Sequence, residues 1–167
     1  MKEIFERRSI RKYTDKDVSD ETVKELLKAA MAAPSAGNQQ TWDFIVVKDR
    51  ALLNEIPKFH PNAQMLIEAP AAIIVCGVLE REKKYAGYWV QDCSAAVENI
   101  LIEAQFLGLG AVWLGIYPME DRVTRLKELF GIPENVIPLA VISIGYPAKI
   151  KEASQRYDEQ KIHINKW

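Results

Sequence analysis

Four cationic side chains crowd the segment ERRSIRKYT near the start of a chain whose formal net charge is only -1. A guanidinium presents a planar fork of donors that matches phosphate oxygens, and Ser9 adds a hydroxyl at the same place. Arg7, Arg8, Ser9 and Arg11 could therefore enclose one phosphate or the anionic edge of a ring. The alternative is a solvated basic surface, because clustered arginine and lysine cost little where water reaches them.

A second segment, APSAGNQQTW, is rich in turn-forming residues and carries three side-chain amides before an indole. Each amide offers a donor and an acceptor together, which suits a ring edge that displays both kinds of group. Its members of interest are Pro34, Ser35, Asn38 and Gln40. A plain loop between a helix and a strand is the alternative, since loops use the same residues.

A third segment, VWLGIYP, ends a predicted strand in a glycine. Without a side chain, Gly115 lets the backbone approach a flat ligand and direct an N–H at a ring nitrogen. An ordinary turn at the end of a strand is the alternative.

The elements that must position these segments alternate irregularly between helix and strand. Ser19 is a helix cap, and apolar spacing predicts a helix after it that stops before Pro34. The pattern predicts strands over 42–47, 71–78, 111–115 and 137–145, with helices over 52–56, 88–107 and 120–130 and a short one within NAQMLIEAP. This order favours an α+β fold in a single domain, residues 1–167.

The predicted helix over 88–107 is apolar nearly all round, which is typical of a helix buried in its own protein or against a partner subunit. The polar segment after Gly145 is expected to lie over a surface or a neighbouring chain.

Composition and missing motifs exclude several functions. With 22 basic and 23 acidic residues, the chain has no overall field for nucleic acid or an anionic membrane. No apolar run approaches the ~18 residues that span a bilayer, so we expect a cytoplasmic protein. Cys76 and Cys93 are expected to be buried thiols, and the widely separated His60 and His163 predict no metal site. Phosphate-loop, zinc-protease and serine-hydrolase motifs are absent, and GLGAVW lacks the context of a dinucleotide-binding turn.

Four segments, RRSIRKY, APSAGNQQTW, GLGAVWLGIYP and IGYPAK, together with the tail RYDEQKIHINKW, resemble the FMN-dependent nitroreductase family in type and order. The resemblance covers nearly the whole chain. It implies an α+β, nitroreductase-like fold with a central, mostly antiparallel sheet flanked by helices. It also implies an intertwined homodimer with FMN sites at the interface and NAD(P)H as transient electron donor.

The resemblance implies roles for individual residues. Arg7, Arg8, Ser9 and Arg11 would form the N-terminal flavin segment, with Arg7 and Ser9 near the ribityl phosphate and Arg11 near the pyrimidine edge. The other subunit would supply the loop that carries Pro34, Ser35, Asn38 and Gln40. Leu114 and Gly115 would lie at flavin N5. A C-terminal cation would complete the phosphate site, and Gln64 falls where many relatives carry a lysine. The residues concerned at the C-terminus are Arg156 and Lys149. Arg11 and Gly115 would thus act in catalysis.

The sequence also departs from the family pattern. Thr41 stands in place of a proline, which predicts a less rigid loop, and Leu114 stands where some members have a glutamate. The chain is also short for the family, so we expect the helical insertion that covers the active site of larger members to be missing. The predicted function is an FMN-dependent NAD(P)H oxidoreductase that reduces nitroaromatics, quinones or similar acceptors in ping-pong fashion. A non-catalytic flavin-binding protein and specialised flavin chemistry, such as flavin fragmentation or dehalogenation, are the alternatives.

Overall fold

A computed structural model describes residues 2–167 of the chain. Within that range the helices are α1 (Lys2–Glu6), α2 (Asp20–Met31), α3 (Arg50–Glu55), α4 (Trp89–Phe106) and α5 (Glu120–Phe130). The strands are β1 (Trp42–Val47), β2 (Ala71–Val78), β3 (Gly110–Gly115) and β4 (Val136–Gly145). The four strands pair antiparallel in the order β1-β2-β4-β3. The predicted α+β class with a helix-flanked antiparallel sheet is confirmed.

Side chains along each strand alternate between the two faces of the sheet, and helices cover both faces. On one face Ile73 and Val75 of β2 join the buried side chains of α2 and α4. On the other face Ile74 of β2 joins buried side chains of α3 and α5. All eight residues of β2 are buried, as its continuous apolar run predicts.

Local sequence explains where the helices begin and end. The Ser19 side chain accepts a hydrogen bond from the Thr22 N–H and so caps α2. Gly131 ends α5 in the left-handed conformation that glycine adopts without strain. Both helices confirm the prediction, whereas the helix expected within NAQMLIEAP is a single 3₁₀ turn, Gln64–Ile67. Pro70 follows too soon for a longer helix there.

Helix α4 is buried along one side only. Cys93, Val97 and Ile100 are fully buried, while Phe106 near its end stays exposed. Trp89 begins the helix and packs so closely on Gly77 of β2 that any side chain at position 77 would meet its ring. Within the chain, eight of the 18 residues of α4 are buried.

The N-terminal segment covers the outer edge of β3. Ser9 forms a parallel bridge with Ala111, and the Ile10 N–H donates to the Ala111 carbonyl at 3.0 Å. A side chain at Gly110 would clash with Ile10, so glycine permits this close approach. The arginines of this segment are thus held in an extended run along β3.

Candidate functional site

The largest group of predicted site residues meets in a cavity of about 620 Å³ beside the end of β3, which we call the Gly115 cavity. Arg11, Gln64, Leu114 and Gly115 line it, as the sequence predicts. Six further residues complete the lining: His60, Pro61, Asn62, Met65, Trp113 and Arg122. Two guanidinium groups, two side-chain amides and an indole therefore surround one space that suits a flat polar ring.

Both backbone polar groups of Gly115 point away from the sheet. Gly115 pairs with Ala140, while the next residue, Ile116, donates its N–H to the Leu139 carbonyl of β4 at 3.0 Å. Because successive residues of a strand present their backbone groups to opposite sides, the N–H and carbonyl of Gly115 face outward. A side chain at position 115 would meet no atom within 4 Å. The Gly115 amide can therefore donate to a ligand in the cavity.

The outward carbonyl of Gly115 is already occupied. His60 Nε2 lies 3.0 Å from it, and Arg122 Nη1 donates to it at the same distance. A carbonyl oxygen only accepts, so Nε2 of His60 carries the proton. Burial, followed by the nearby Arg122 charge, lowers the pKa of His60, and the ring is therefore neutral at pH 7.

The charge of the Gly115 cavity is positive. Arg11 and Arg122 both line it, and no ion pair among residues 2–167 neutralises either guanidinium. No carboxylate belongs to the lining. Such a cavity favours a ligand that carries or gains negative charge.

Arg7 and Arg156 line a second cavity, of about 690 Å³, between α1 and the C-terminal tail. This Arg7 cavity also contains Ser154 and Tyr157. Arg7 Nε lies 3.2 Å from a Glu98 carboxylate oxygen, but the two are not aligned for a hydrogen bond. The structure therefore brings Arg156 to Arg7, whereas Lys149 is exposed and lines neither cavity.

The expectation that Arg7, Arg8, Ser9 and Arg11 enclose a single anion is wrong for one chain. Side chains alternate along an extended segment, so Arg8 lies with buried Ile10 in a different cavity, where its guanidinium donates to Ser154 Oγ. The carbonyl of Ser9 accepts from Lys151 at 3.0 Å. Arg7 and Arg11 are four residues apart, about 13 Å in an extended chain. Arg7 and Arg11 are therefore placed to contact opposite ends of one long ligand.

The amide-bearing loop is tightly held. Asp92 of α4, which is buried, accepts from the Ala36 N–H at 2.9 Å and from the Thr41 hydroxyl at 3.2 Å. Ser35 Oγ accepts from the Gln40 N–H at 3.0 Å. Thr41 is itself fully buried, and its hydroxyl ties the loop to α4 at the position where the resemblance implies a proline.

The same loop stores backbone strain. Asn38 and Gln40 have φ values of 55° and 49°, in the left-handed region that ordinary residues seldom adopt. The Gln40 side-chain amide donates to Asn38 Oδ1 at 3.3 Å. Pro34, Asn38 and Gln40 are exposed. Strain of this kind at exposed polar residues is typical of a binding loop.

The loop and the Gly115 cavity lie at opposite edges of the sheet. The loop enters β1, whereas Gly115 ends β3, and two strands separate these. At about 4.8 Å per strand, the two edges are roughly 14 Å apart. No residue of the loop lines the Gly115 cavity. The structure therefore does not bring Pro34, Ser35, Asn38 and Gln40 together with Arg11 in one chain.

Three important residues escaped the sequence analysis. His60 was an isolated histidine, and Arg122 was one of many cations on an amphipathic helix, so only the fold reveals that they meet. Asp92 did carry a signal, because a carboxylate within an otherwise apolar helical face needs partners.

Two searches of residues 2–167 complete the description. No group of three or more histidine, cysteine, aspartate or glutamate side chains in this range could hold a metal ion. None of the described helices combines the length and apolar character required to cross a membrane.

The fold and site define a class of α+β proteins in which helices flank an antiparallel sheet and a basic, amide-lined cavity opens at the sheet edge. The chain belongs to the Nitroreductase family, whose sequence profile matches residues 4–60 and 55–146. A relative from Archaeoglobus fulgidus, provisionally named NADH dehydrogenase/NAD(P)H nitroreductase, is 51% identical over 100% of this chain and 98% of its own.

Solved structures agree with this assignment. A provisionally named NADH oxidase from Clostridium acetobutylicum has a TM-score of 0.95 at 48% identity, covering 99% of each chain. An FMN-dependent nitroreductase from Clostridium difficile has a TM-score of 0.92 at 32% identity, covering 100% of each chain.

Proposed function

We propose that the protein is an FMN-dependent NAD(P)H oxidoreductase that reduces nitroaromatics, quinones or similar acceptors. Family membership and the names of its relatives support an FMN-dependent oxidoreductase. The observation that carries the proposal is the outward Gly115 amide in a cavity with two guanidinium groups that form no ion pair with any residue of 2–167. We assign the activity to the whole chain, residues 1–167, as one domain.

The Gly115 cavity fits the ring of FMN. The Gly115 amide is the donor for N5, with Leu114 packed beside it, and Arg11 and Gln64 face the pyrimidine edge. A ring with a dione edge presents acceptors to these donors. In the Arg7 cavity, Arg7 and Arg156 hold the phosphate; Arg8, Ser9 and Lys149 line neither this cavity nor the Gly115 cavity, and we assign them no contact with the phosphate.

FMN, when bound, accepts a hydride from NAD(P)H and passes electrons to the acceptor in a second half-reaction, which gives ping-pong kinetics. The protein supplies orientation and charge. A cation about 4 Å from a developing negative charge contributes about 4 kcal/mol at an effective dielectric constant of about 20. Arg11 is exposed, so solvent screening reduces its contribution below that value.

The proposed functional unit is an intertwined homodimer in which one chain's loop covers the other chain's ring. The loop and the Gly115 cavity cannot meet within one chain, as shown above. Large apolar side chains are exposed in α1, at the end of α4 and in the tail, and a partner would bury them. They include Phe5 at 73%, Phe106 at 67%, Tyr157 at 77% and Ile164 at 82% exposure.

The first experiment is an absorbance spectrum of the purified protein before and after anaerobic addition of NAD(P)H. A flavin spectrum that bleaches on addition and recovers with a nitroaromatic or quinone supports the proposal. A bound flavin that stays oxidised would instead indicate a flavin-binding protein without turnover. Sedimentation tests the proposed homodimer, and a stable monomer would contradict it.

A matched pair of variants tests the role of Arg11. Arg11→Ala is expected to weaken FMN retention at least tenfold and to slow flavin reduction, because the cation at the ring edge is lost. Lys12→Ala is the control: Lys12 is the neighbouring cation, but it pairs with Glu68 at 2.8 Å and lines no part of the Gly115 cavity. Equal behaviour of the two variants would count against a specific role for Arg11.

A further inference from the structure

Two side chains from distant parts of the sequence converge on one backbone oxygen. His60 precedes the 3₁₀ turn Gln64–Ile67, and Arg122 lies in the first turn of α5. Both contact the Gly115 carbonyl at 3.0 Å, and His60 Nε2 and Arg122 Nη1 are 3.5 Å apart. Together they fill both lone pairs of that oxygen.

Stability does not account for this arrangement. His60 is 2% exposed, and its Nδ1 is buried without a hydrogen-bond partner, which costs about 1–3 kcal/mol. Arg122 places a cation at the positive end of a helix dipole, where acidic residues are favoured. Residues that break local preferences in this way are expected at functional positions.

We propose that His60 and Arg122 are positioning residues that fix the Gly115 backbone so that its amide stays directed at N5 of the bound flavin. This inference rests on the proposed function. Gly115 has no side chain, and its own N–H and carbonyl face away from β4, so only its neighbours attach it to the sheet. The two donors bind the peptide plane between Gly115 and Ile116. The Ile116 bond to Leu139 holds the same plane from its other side.

The test uses the holoenzyme reconstituted with FMN that carries ¹⁵N at N5. The ¹⁵N resonance of N5 reports its hydrogen bond directly, and the midpoint potential gives a second readout. Arg122→Gln is expected to move the resonance towards that of free FMN. The potential is measured on His60→Leu, which removes a neutral donor without removing a charge; it should rise, because only oxidised N5 accepts a hydrogen bond. A tenfold change in the relative affinity for the two redox forms corresponds to about 30 mV for a two-electron couple.

Three further measurements separate positioning from a structural effect. Arg125→Gln removes an exposed arginine one turn along α5 that lines no part of the Gly115 cavity, and it should leave both readouts unchanged. His60→Gln keeps an N–H donor and should retain more of the wild-type resonance than His60→Leu. In the flavin-free protein, Arg122→Gln should speed hydrogen exchange of the Ile116 amide about tenfold, because this amide donates to Leu139 and shares a peptide plane with the Gly115 carbonyl; the readout needs no bound FMN.

The outcomes distinguish the two proposals. A wild-type protein that binds no FMN overturns the proposed function. A wild-type protein that binds and reduces FMN, with both Arg122→Gln and His60→Leu showing the wild-type N5 resonance and Ile116 exchange rate and His60→Leu the wild-type potential, overturns the positioning role alone. Changes in Arg122→Gln that Arg125→Gln reproduces also overturn it.

Discussion

Replacing Thr41 by valine tests whether one buried hydrogen bond holds the amide-bearing loop in its strained form. The Thr41 hydroxyl is fully buried and donates to Asp92 at 3.2 Å. Hydrogen bonds to charged groups contribute about 1.5–3 kcal/mol, and this one is longer than the usual 2.7–2.8 Å. We therefore expect Thr41→Val, which preserves shape, to lower the free energy of unfolding by about 1.5–2 kcal/mol.

The assay is urea unfolding of a double-mutant cycle that combines Thr41→Val with Asp92→Ala. If the bond carries the effect, Thr41→Val should cost little in the Asp92→Ala background, giving a coupling energy of about 1.5 kcal/mol. Thr41→Ser is the control, because it keeps the hydroxyl and should lose only about 1 kcal/mol for one buried methyl group. A coupling energy near zero would refute the reasoning.

The same loop explains why threonine is tolerated where the family pattern has proline. A proline favours extended backbone, with φ near −120°, in the residue before it, but Gln40 has a φ of 49°. Thr41→Pro would therefore conflict with the conformation of Gln40 and remove the hydroxyl as well. We expect it to destabilise the protein more than Thr41→Val does. Equal or greater stability of Thr41→Pro in urea would contradict this account.

The remaining predictions concern other parts of the molecule. Arg50 donates to backbone carbonyls of the segment 66–69, so Arg50→Met should lower the free energy of unfolding by about 1–3 kcal/mol, measured in urea. Folding lowers the pKa of His60, so below pH 6.5 the unfolded state binds more protons than the folded state. The free energy of unfolding should therefore fall as the pH drops below 6.5, and it should fall less in His60→Gln. Burial raises the pKa of Cys76 and Cys93 to about 12, so at pH 8 Ellman's reagent should modify both about a thousandfold more slowly than in urea.

Periodicity and capping residues were sufficient to predict most of the fold. Strands β1 and β2 and helix α5 have the bounds that their apolar patterns predict, and β3 and β4 each begin one residue earlier. These patterns work because each element must bury a defined face, whatever lies beside it. The 3₁₀ turn Gln64–Ile67 shows the limit, since composition alone does not separate a short helix from a single turn.

The candidate site was predictable only where its residues are close together in sequence. Arg11, Leu114 and Gly115 were identified from local segments, and the fold places them around one cavity. The contact between His60 and Arg122 joins residues that are 62 positions apart, so no local pattern could indicate it. Alternation along the extended N-terminal segment likewise sends Arg8 away from Arg7, which a count of nearby cations does not reveal.

The division of the site between two sheet edges makes dimer formation a requirement of the proposed activity. The Gly115 cavity supplies charge and one backbone donor, but it contains none of the loop's amides. Asp92 holds the loop, which has positive φ at Asn38 and Gln40; Gln40 lines a cavity with Arg81 of its own chain, but no loop residue lines the Gly115 cavity or the Arg7 cavity. Strain persists only where the surrounding structure enforces it, and here it presents two exposed amides outward. In the proposed homodimer, a second copy of the chain would offer those amides a basic cavity and would also bury the exposed apolar side chains of α1, α4 and the tail.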